Sequence, residues 1–269
     1  MIDFAKFHGL GNDFIVVEQN AEAWTAAKVR AICDRHLGVG ADGVLALERL
    51  GEDHLRMVVF NQDGSRPQMC GNGVRCAAGY AHSRWNMSDA ILVESDAGPR
   101  PCEIIPGNAP GLWQVNVAMG PARIGAAGSF KVQGRTFDYV PVDMGNPHAV
   151  ILEFPGDEIV DRAGTLANAA HPDFAQGVNL EFVEARGDEW HTSVYERGVG
   201  RTRACGTGAC AVAAAIWNLD LASPDAPVVV ALPGGRLTIA QRNGQIWMQG
   251  PAQEVFTGMY PNIRSNEDA

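Results

Sequence analysis

The sequence predicts an α/β (α+β) protein made of two similar halves related by a pseudo-twofold axis. The first observation behind this is a repeated frame. Cys70 in Met69-Cys70-Gly71-Asn72-Gly73 and Cys205 in Ala204-Cys205-Gly206-Thr207-Gly208 lie 135 residues apart. Each is followed by an alanine-rich run, and each is preceded ten residues earlier by an aromatic, Phe60 or Tyr195. The second is a set of echoes in the same order. Gly11-Asn12 recurs as Gly145-Asn146, Gly40-Ala41-Asp42 as Gly177-Val178-Asn179, and Val59-Phe60-Asn61 as Val194-Tyr195-Glu196, at offsets of 134, 137 and 135. A period this long fits whole domains and not a solenoid. The third is that β-patterned runs and helices follow one order in both halves.

In the first half, strand-like runs cover Ile15 to Glu18, Val44 to Leu47, Leu55 to Phe60, Ile91 to Val93 and Trp113 to Val117, many bounded by Gly, Asp or Pro. A helix is expected from near Thr25 to before Gly38, with Ala27, Ile32 and Leu37 on its apolar side and Lys28 on its surface. The proline-rich stretch 98–111 reads as loop around one short strand. The second half supplies runs at Tyr139 to Val142, Val150 to Leu152, Leu180 to Val183, Ser193 to Tyr195, Val228 to Ala231, Leu237 to Ala240 and Ile246 to Met248. Its matching helix falls between Asp157 and Ala170. In each half a second helix follows the cysteine, from Gly73 to Trp85 and from Gly208 to Leu221. The repeat arithmetic divides the chain into 1–117, carrying Cys70 and completed by 251–269, and 118–250, carrying Cys205. The polar end, Ser265 to Ala269, reads as frayed.

Composition narrows the function. With 46% hydrophobic and 19% charged residues the 269-residue chain is globular. A net charge of -10 disfavours nucleic acid and anionic membranes as partners. No apolar run approaches the roughly 20 residues of a membrane-spanning helix. No leader is visible at Met1 to Lys6, and a cytoplasmic location with reduced cysteines is expected.

The glycines after each cysteine let the backbone turn tightly, and the cysteine falls at the start of a helix. There the N–H groups and helix dipole favour a thiolate and can grip a carboxylate. Two such helix starts facing one cleft would put a sulfur on each face of an α-carbon, as a 1,1-proton transfer requires. Zinc is a poorer reading, because Cys70 and Cys76 have five residues between them and Cys205 and Cys210 four, with no paired histidines. Cys76 and Cys210 read as helix packing, and Cys33, Cys102 and His8 as structural. Pyridoxal phosphate would need a Schiff-base lysine, and neither Lys6, Lys28 nor Lys131 sits in a phosphate-loop setting. No cofactor and no metal are expected.

Phe7-His8-Gly9-Leu10-Gly11-Asn12-Asp13-Phe14, Phe60-Asn61-Gln62-Asp63-Gly64-Ser65, Cys70-Gly71-Asn72-Gly73-Val74-Arg75-Cys76, Gly145-Asn146-Pro147-His148, Gly177-Val178-Asn179 and Tyr195-Glu196-Arg197-Gly198 with Ala204-Cys205-Gly206-Thr207-Gly208-Ala209-Cys210 together resemble the diaminopimelate epimerase family. The resemblance spans nearly the whole chain. It implies that each half is a curled, mostly antiparallel sheet or barrel around a central helix, with the active site between the halves. It further implies a homodimer that interconverts LL- and meso-diaminopimelate for lysine and peptidoglycan synthesis. Carried over by motif, Cys70 and Cys205 are the acid/base pair. The backbone at Gly71, Asn72, Gly206 and Thr207 would hold the α-carboxylate, while Asn12, Asn61, Asn146, Asn179, Glu196 and Arg197 would hold the other polar groups. His148 is a candidate orienting group. Gly43 departs from the family at a place where some members carry glutamine, and Arg66 and Arg201 stand where acids are common. The alternatives are a racemase or epimerase of another amino acid on the same scaffold, and a dithiol redox or binding protein.

Overall fold

The structure is a computed structural model that describes residues 1–169 and 171–261. The expected frayed tail, Ser265 to Ala269, and the expected helix end at Ala170 lie outside the described residues. The first elements along the chain are β1 (Ile2–Gly9), β2 (Asn12–Val17), α1 (Ala26–Cys33), β3 (Gly43–Arg49), β4 (His54–Asn61), α2 (Gly71–Trp85), β5 (Ala90–Ser95), β6 (Gly98–Pro106) and β7 (Leu112–Gly120). Next come β8 (Arg123–Ile124), β9 (Gly128–Val132), β10 (Arg135–Asp143), β11 (Pro147–Ile151), α3 (Asp157–Ala167), β12 (Asn179–Arg186), β13 (Glu189–Glu196) and β14 (Gly200–Arg201). The last are α4 (Gly206–Asn218), β15 (Val228–Leu232), β16 (Gly235–Arg242) and β17 (Gln245–Tyr260). Two compact units result, one of Met1–Val117 with the chain from Gly250 on, the other of Ala118–Gln249.

In the first unit, β1 and β2 pair antiparallel, β2 and β3 parallel, β3 and β4 antiparallel, β4 and β5 parallel, and β5–β6–β7 antiparallel. β17 pairs with both β7 and β1, the latter antiparallel from Ile2↔Tyr260 to His8↔Gln253, which closes the ring. Helix α2 packs against β1 through β6, and every residue from Gly71 to Ala81 is buried. Small residues allow this enclosure: a Cβ on Gly79 would already touch Trp113 at 3.3 Å and Ala252 at 3.4 Å. Asn86, in the left-handed region at φ 52°, ends the helix. Outside the ring, α1 packs Val29, Ile32 and Cys33 onto Val44, Ala46, Val58 and Phe60.

The second unit repeats the same pairing senses. β10–β11 is antiparallel, β11–β12 parallel, β12–β13 antiparallel, β13–β15 parallel, and β15–β16–β17 antiparallel. Helix α4 is the enclosed one, against β8, β10, β11, β12, β15 and β16. Its alanines lie buried along with Val212, Ile216 and Trp217. Outer helix α3 buries Val160, Ala163, Gly164 and Ala167; the Tyr195 ring lies so near Gly164 that any Cβ there would collide with it.

The observed elements depart from the expected ones in several places. Helix α1 stops at Cys33, because Asp34 turns extended and its Oδ1 accepts the N–H groups of His36 (2.7 Å) and Leu37 (2.8 Å). Leu37 therefore lies beyond the helix and is 86% exposed, while Ala27, in the first turn, is exposed too; the buried face is Val29, Ile32 and Cys33. The stretch 98–111 is mostly the nine-residue strand β6. Its residues Gly98 to Pro101 pair only with β5, and the register to β7 begins at Cys102, so Pro99 and Pro101 sit on a one-sided, edge-like section where no second partner needs their N–H. Strands β1, β8, β9 and β14 have no counterpart among the expected runs; in β1 the buried Lys6 hides the alternation. The enclosed helices begin at Gly71 and Gly206, two residues earlier than expected, because burial outweighs the low helix propensity of glycine, and α4 ends at Asn218, short of Leu221.

Candidate active site

The two units present their polar motif residues from equivalent places. In the first, Asn12 opens β2, Asn61 closes β4, and Cys70 is the N-cap of α2. In the second, Asn146 immediately precedes β11, Asn179 opens β12, Glu196 closes β13, and Cys205 is the N-cap of α4. The intrahelical ladders start with Val74 N–H to Cys70 O (2.9 Å) and Ala209 N–H to Cys205 O (3.0 Å). The amides of Gly71 and Asn72, and of Gly206 and Thr207, therefore precede the ladder at the positive end of each helix.

Around Cys70 the side chains form a chain of bonds. The thiol donates to Asn12 Oδ1 at 3.8 Å, and Asn72 Nδ2 donates to the same oxygen at 3.1 Å. The other end of the Asn12 amide donates to Asp42 Oδ2 at 2.9 Å. Arg75, wholly buried, donates to Asn72 Oδ1 (2.9 Å) and to the Pro251 carbonyl (3.1 Å). Behind Asp42, Arg35 bridges Asp42 and Asp13 at 2.7 Å each, and buried Lys6 pairs with Asp13 at 2.7 Å and donates to the Gly40 carbonyl. Burial pushes the Asp13 carboxyl up, but the hydrogen bonds from Arg35 and Lys6 prevail and hold it well below the usual range. Asn61 stays apart from this chain and donates to Ser65 Oγ at 2.9 Å. Gly43 leaves no room for a side chain: a Cβ would stand 2.3 Å from the Phe60 carbonyl oxygen.

Cys205 is more enclosed, at 5% exposure. Its sulfur accepts the Gly208 N–H at 3.3 Å and lies 3.6 Å from Thr207 Oγ1. Burial, then the negative charges of Glu196 and Glu181, push its thiol well above the ordinary range. Burial likewise raises the Glu196 carboxyl, which accepts from Thr202 Oγ1 at 2.5 Å. Asn146 Nδ2 donates to Thr207 Oγ1 at 3.4 Å, and Asn146 Oδ1 faces His148 Nε2 at 3.0 Å. Asn179 is committed to backbone, donating to Pro147 O and accepting from Arg197 N–H, both at 2.9 Å. The Arg197 guanidinium is exposed and donates to the Gln176 carbonyl at 3.2 Å.

Arg66 and Arg201 act locally, Arg66 on Asp96 (2.6 Å) and Arg201 on Asp157 (2.7 Å). Cys76 and Cys210 are fully buried in the enclosed helices, and Cys33 and Cys102 are buried as well. His8 takes the Gly11 N–H at 3.4 Å. Sequence reading missed the polar support: Asp42, Arg75 and Glu181. A charged residue inside a β-run, as in Asn179-Leu180-Glu181-Phe182-Val183, was the available signal for the last of these.

The family model for diaminopimelate epimerase matches residues 4–125 and 140–255. A diaminopimelate epimerase of Desulforudis audaxviator is 41% identical over 96% of this chain and 99% of its own length. Another, of Thioalkalivibrio sulfidiphilus, is 40% identical over 96% and 98%. Among solved structures, a phenazine biosynthesis protein of Bacillus anthracis superposes with a TM-score of 0.73 at 15% identity, covering 96% of this chain and 99% of that one. A hydroxyproline epimerase of Agrobacterium vitis gives 0.69 at 14% identity, over 96% and 90%. These two share the two-domain α+β fold. The family match over most of the chain and the near-complete coverage of relatives at about 40% identity give the assignment: this chain belongs to the diaminopimelate epimerase family.

Proposed function

We propose that this chain is an isomerase that interconverts LL- and meso-diaminopimelate, a step of lysine biosynthesis, by proton transfer between two cysteines. One sulfur, as thiolate, takes the α-proton; the C–H electron pair remains on the substrate and delocalises into the α-carboxylate. The other sulfur, as thiol, delivers its proton to the opposite face. One thiolate and one thiol remain, with their places exchanged. The observation that carries this reading is the matched pair of Cys-Gly-x-Gly caps on enclosed helices in a chain of this family.

In this reading the helix-start amides at Gly71, Asn72, Gly206 and Thr207 hold the α-carboxylate, where the helix dipoles stabilise the charge that develops on it. Asn12, Asn61, Asn146, Asn179, Glu196 and Arg197 hold the remaining amino and carboxylate groups, Arg197 by a paired contact to the distal carboxylate. His148 orients neighbours at the second half-site. No described helix is long and apolar enough to cross a membrane. The reading extends to a cytoplasmic homodimer, testable by sedimentation.

The deciding experiment follows deuterium from solvent into the α-carbon of diaminopimelate, for the natural protein and for each single cysteine variant. Incorporation that requires both thiols supports the reading. Exchange confined to amino acids with a single carboxylate would shift the substrate to the proline-type alternative, and full activity of Cys70→Ala would defeat the two-thiol mechanism.

A further inference from the structure

The carboxyl of Glu181 has no place in the roles assigned above, yet it is buried at the start of α4. Its side chain and that of His148 are both 0% exposed, and Glu181 Oε1 lies 2.7 Å from His148 Nδ1. Oε2 is also buried and has no hydrogen-bond partner among the described residues. A buried carboxylate satisfied at one oxygen costs stability, and an apolar side chain would fill the space with less penalty. Gly208, in the first turn of α4, is shaped around it: a Cβ there would come within 2.7 Å of Glu181 Oε1 and 3.2 Å of Cys205 Sγ.

From His148 the contacts lead outward. Nε2 faces Asn146 Oδ1, and Asn146 Nδ2 donates to Thr207 Oγ1, which stands 3.6 Å from Cys205 Sγ. The order is therefore Glu181, His148, Asn146, Thr207, Cys205, drawn from β12, β11, the turn before β11, and α4. A carboxylate fixes an imidazole by accepting one ring N–H, which commits the other nitrogen to its own partner.

We propose that Glu181 is a positioning residue of the Cys205 half-site: its carboxylate accepts the Nδ1–H of His148, and the ring so held donates Nε2–H to Asn146 Oδ1, which orients Asn146 and Thr207. The catalytic part of this inference rests on the epimerase reading above; the ring geometry does not. Glu181 also acts on Cys205 through its charge. The titratable groups facing that thiol are Glu196 on β13, Glu181 on β12 and, behind Glu181, His148 on β11. Both carboxylates oppose thiolate formation there.

The test uses Glu181→Gln, which keeps the shape and removes the charge, and Glu181→Ala. First, nitrogen-15 NMR of the histidine rings, with His148 assigned by its loss in His148→Gln, reads which ring nitrogens carry protons. Nδ1 protonation in the natural protein and its loss in Glu181→Ala are expected; an unchanged ring spectrum overturns the proposal. Second, kcat for diaminopimelate is followed against pH. At least about a tenfold loss is expected in Glu181→Ala, and in Glu181→Gln the limb governed by Cys205 moves to lower pH. Loss of thermal stability with an unchanged pH profile would reduce Glu181 to a structural residue. An inactive natural protein would instead defeat the epimerase reading, while the NMR result would still decide the ring geometry.

Discussion

Asn12 gives its amide nitrogen to Asp42 Oδ2, so its oxygen is turned toward Asn72 Nδ2 and the Cys70 thiol. An amide can otherwise rotate freely between these partners, and Asp42 removes that choice. Asp42→Ala should leave the ring folded but let Asn12 turn. Displaced positioning groups cost up to about 10²-fold in rate, and deuterium incorporation into diaminopimelate measures it. A rate within twofold of the natural protein would mean that Asp42 does not set Asn12.

Gly73 and Gly208 occupy the same step of the repeated frame but differ in tolerance. A Cβ at Gly73 meets a methyl of Leu45 at 3.1 Å, which can shift. One at Gly208 meets Glu181 Oε1 at 2.7 Å, beside the Cys205 sulfur. Gly208→Ala should therefore cost about 1–3 kcal/mol and Gly73→Ala less, as read by urea denaturation. The reverse order would contradict the packing described for α4.

Asp13 supplies an acid-sensitive part of the fold. Its carboxyl is held below its unfolded value, so it contributes stability above about pH 4 and loses it as the pH falls through the folded-state value. Asp13→Asn should cost roughly 3–5 kcal/mol near neutral pH, because Lys6 remains buried without its carboxylate. The gap to the natural protein should shrink as the pH is lowered below 4. A constant gap in urea midpoints from pH 7 to pH 3 would exclude this linkage.

Alkylation should sort the cysteines. Cys70 is partly exposed, whereas Cys205 is buried with its thiol pushed up, and burial raises Cys33 and Cys76 to about 12. Peptide mass mapping after brief iodoacetamide treatment near neutral pH should find Cys70 labelled first. Labelling of Cys205 ahead of Cys70 would reverse the assigned environments.

The repeat was legible because the cysteine frames carry it in contiguous residues. The alternating runs marked most strands for the same reason, since a half-buried sheet imposes period two locally. What escaped was set by partners far away in sequence. Lys6 reads as polar until Asp13 and the Gly40 carbonyl are seen around it. Pro99 and Pro101 read as loop until β6 is found to have one neighbour along that section. Leu37 reads as core until the side chain of Asp34 captures the following amides. At the site, the motif residues were visible by type, whereas Asp42 and Glu181 gain meaning only from contacts made across strands.

The ring around α2 closes with β1 against residues 253–260 of β17, the two strands standing nearly the whole chain apart. The other unit is one uninterrupted stretch, Ala118–Gln249. During synthesis the later-made unit can thus complete its pairing while the earlier-made one still waits with β1 unmatched on that side. The half-site that carries Cys70 is therefore sealed after that of Cys205, although Cys70 leaves the ribosome before Cys205.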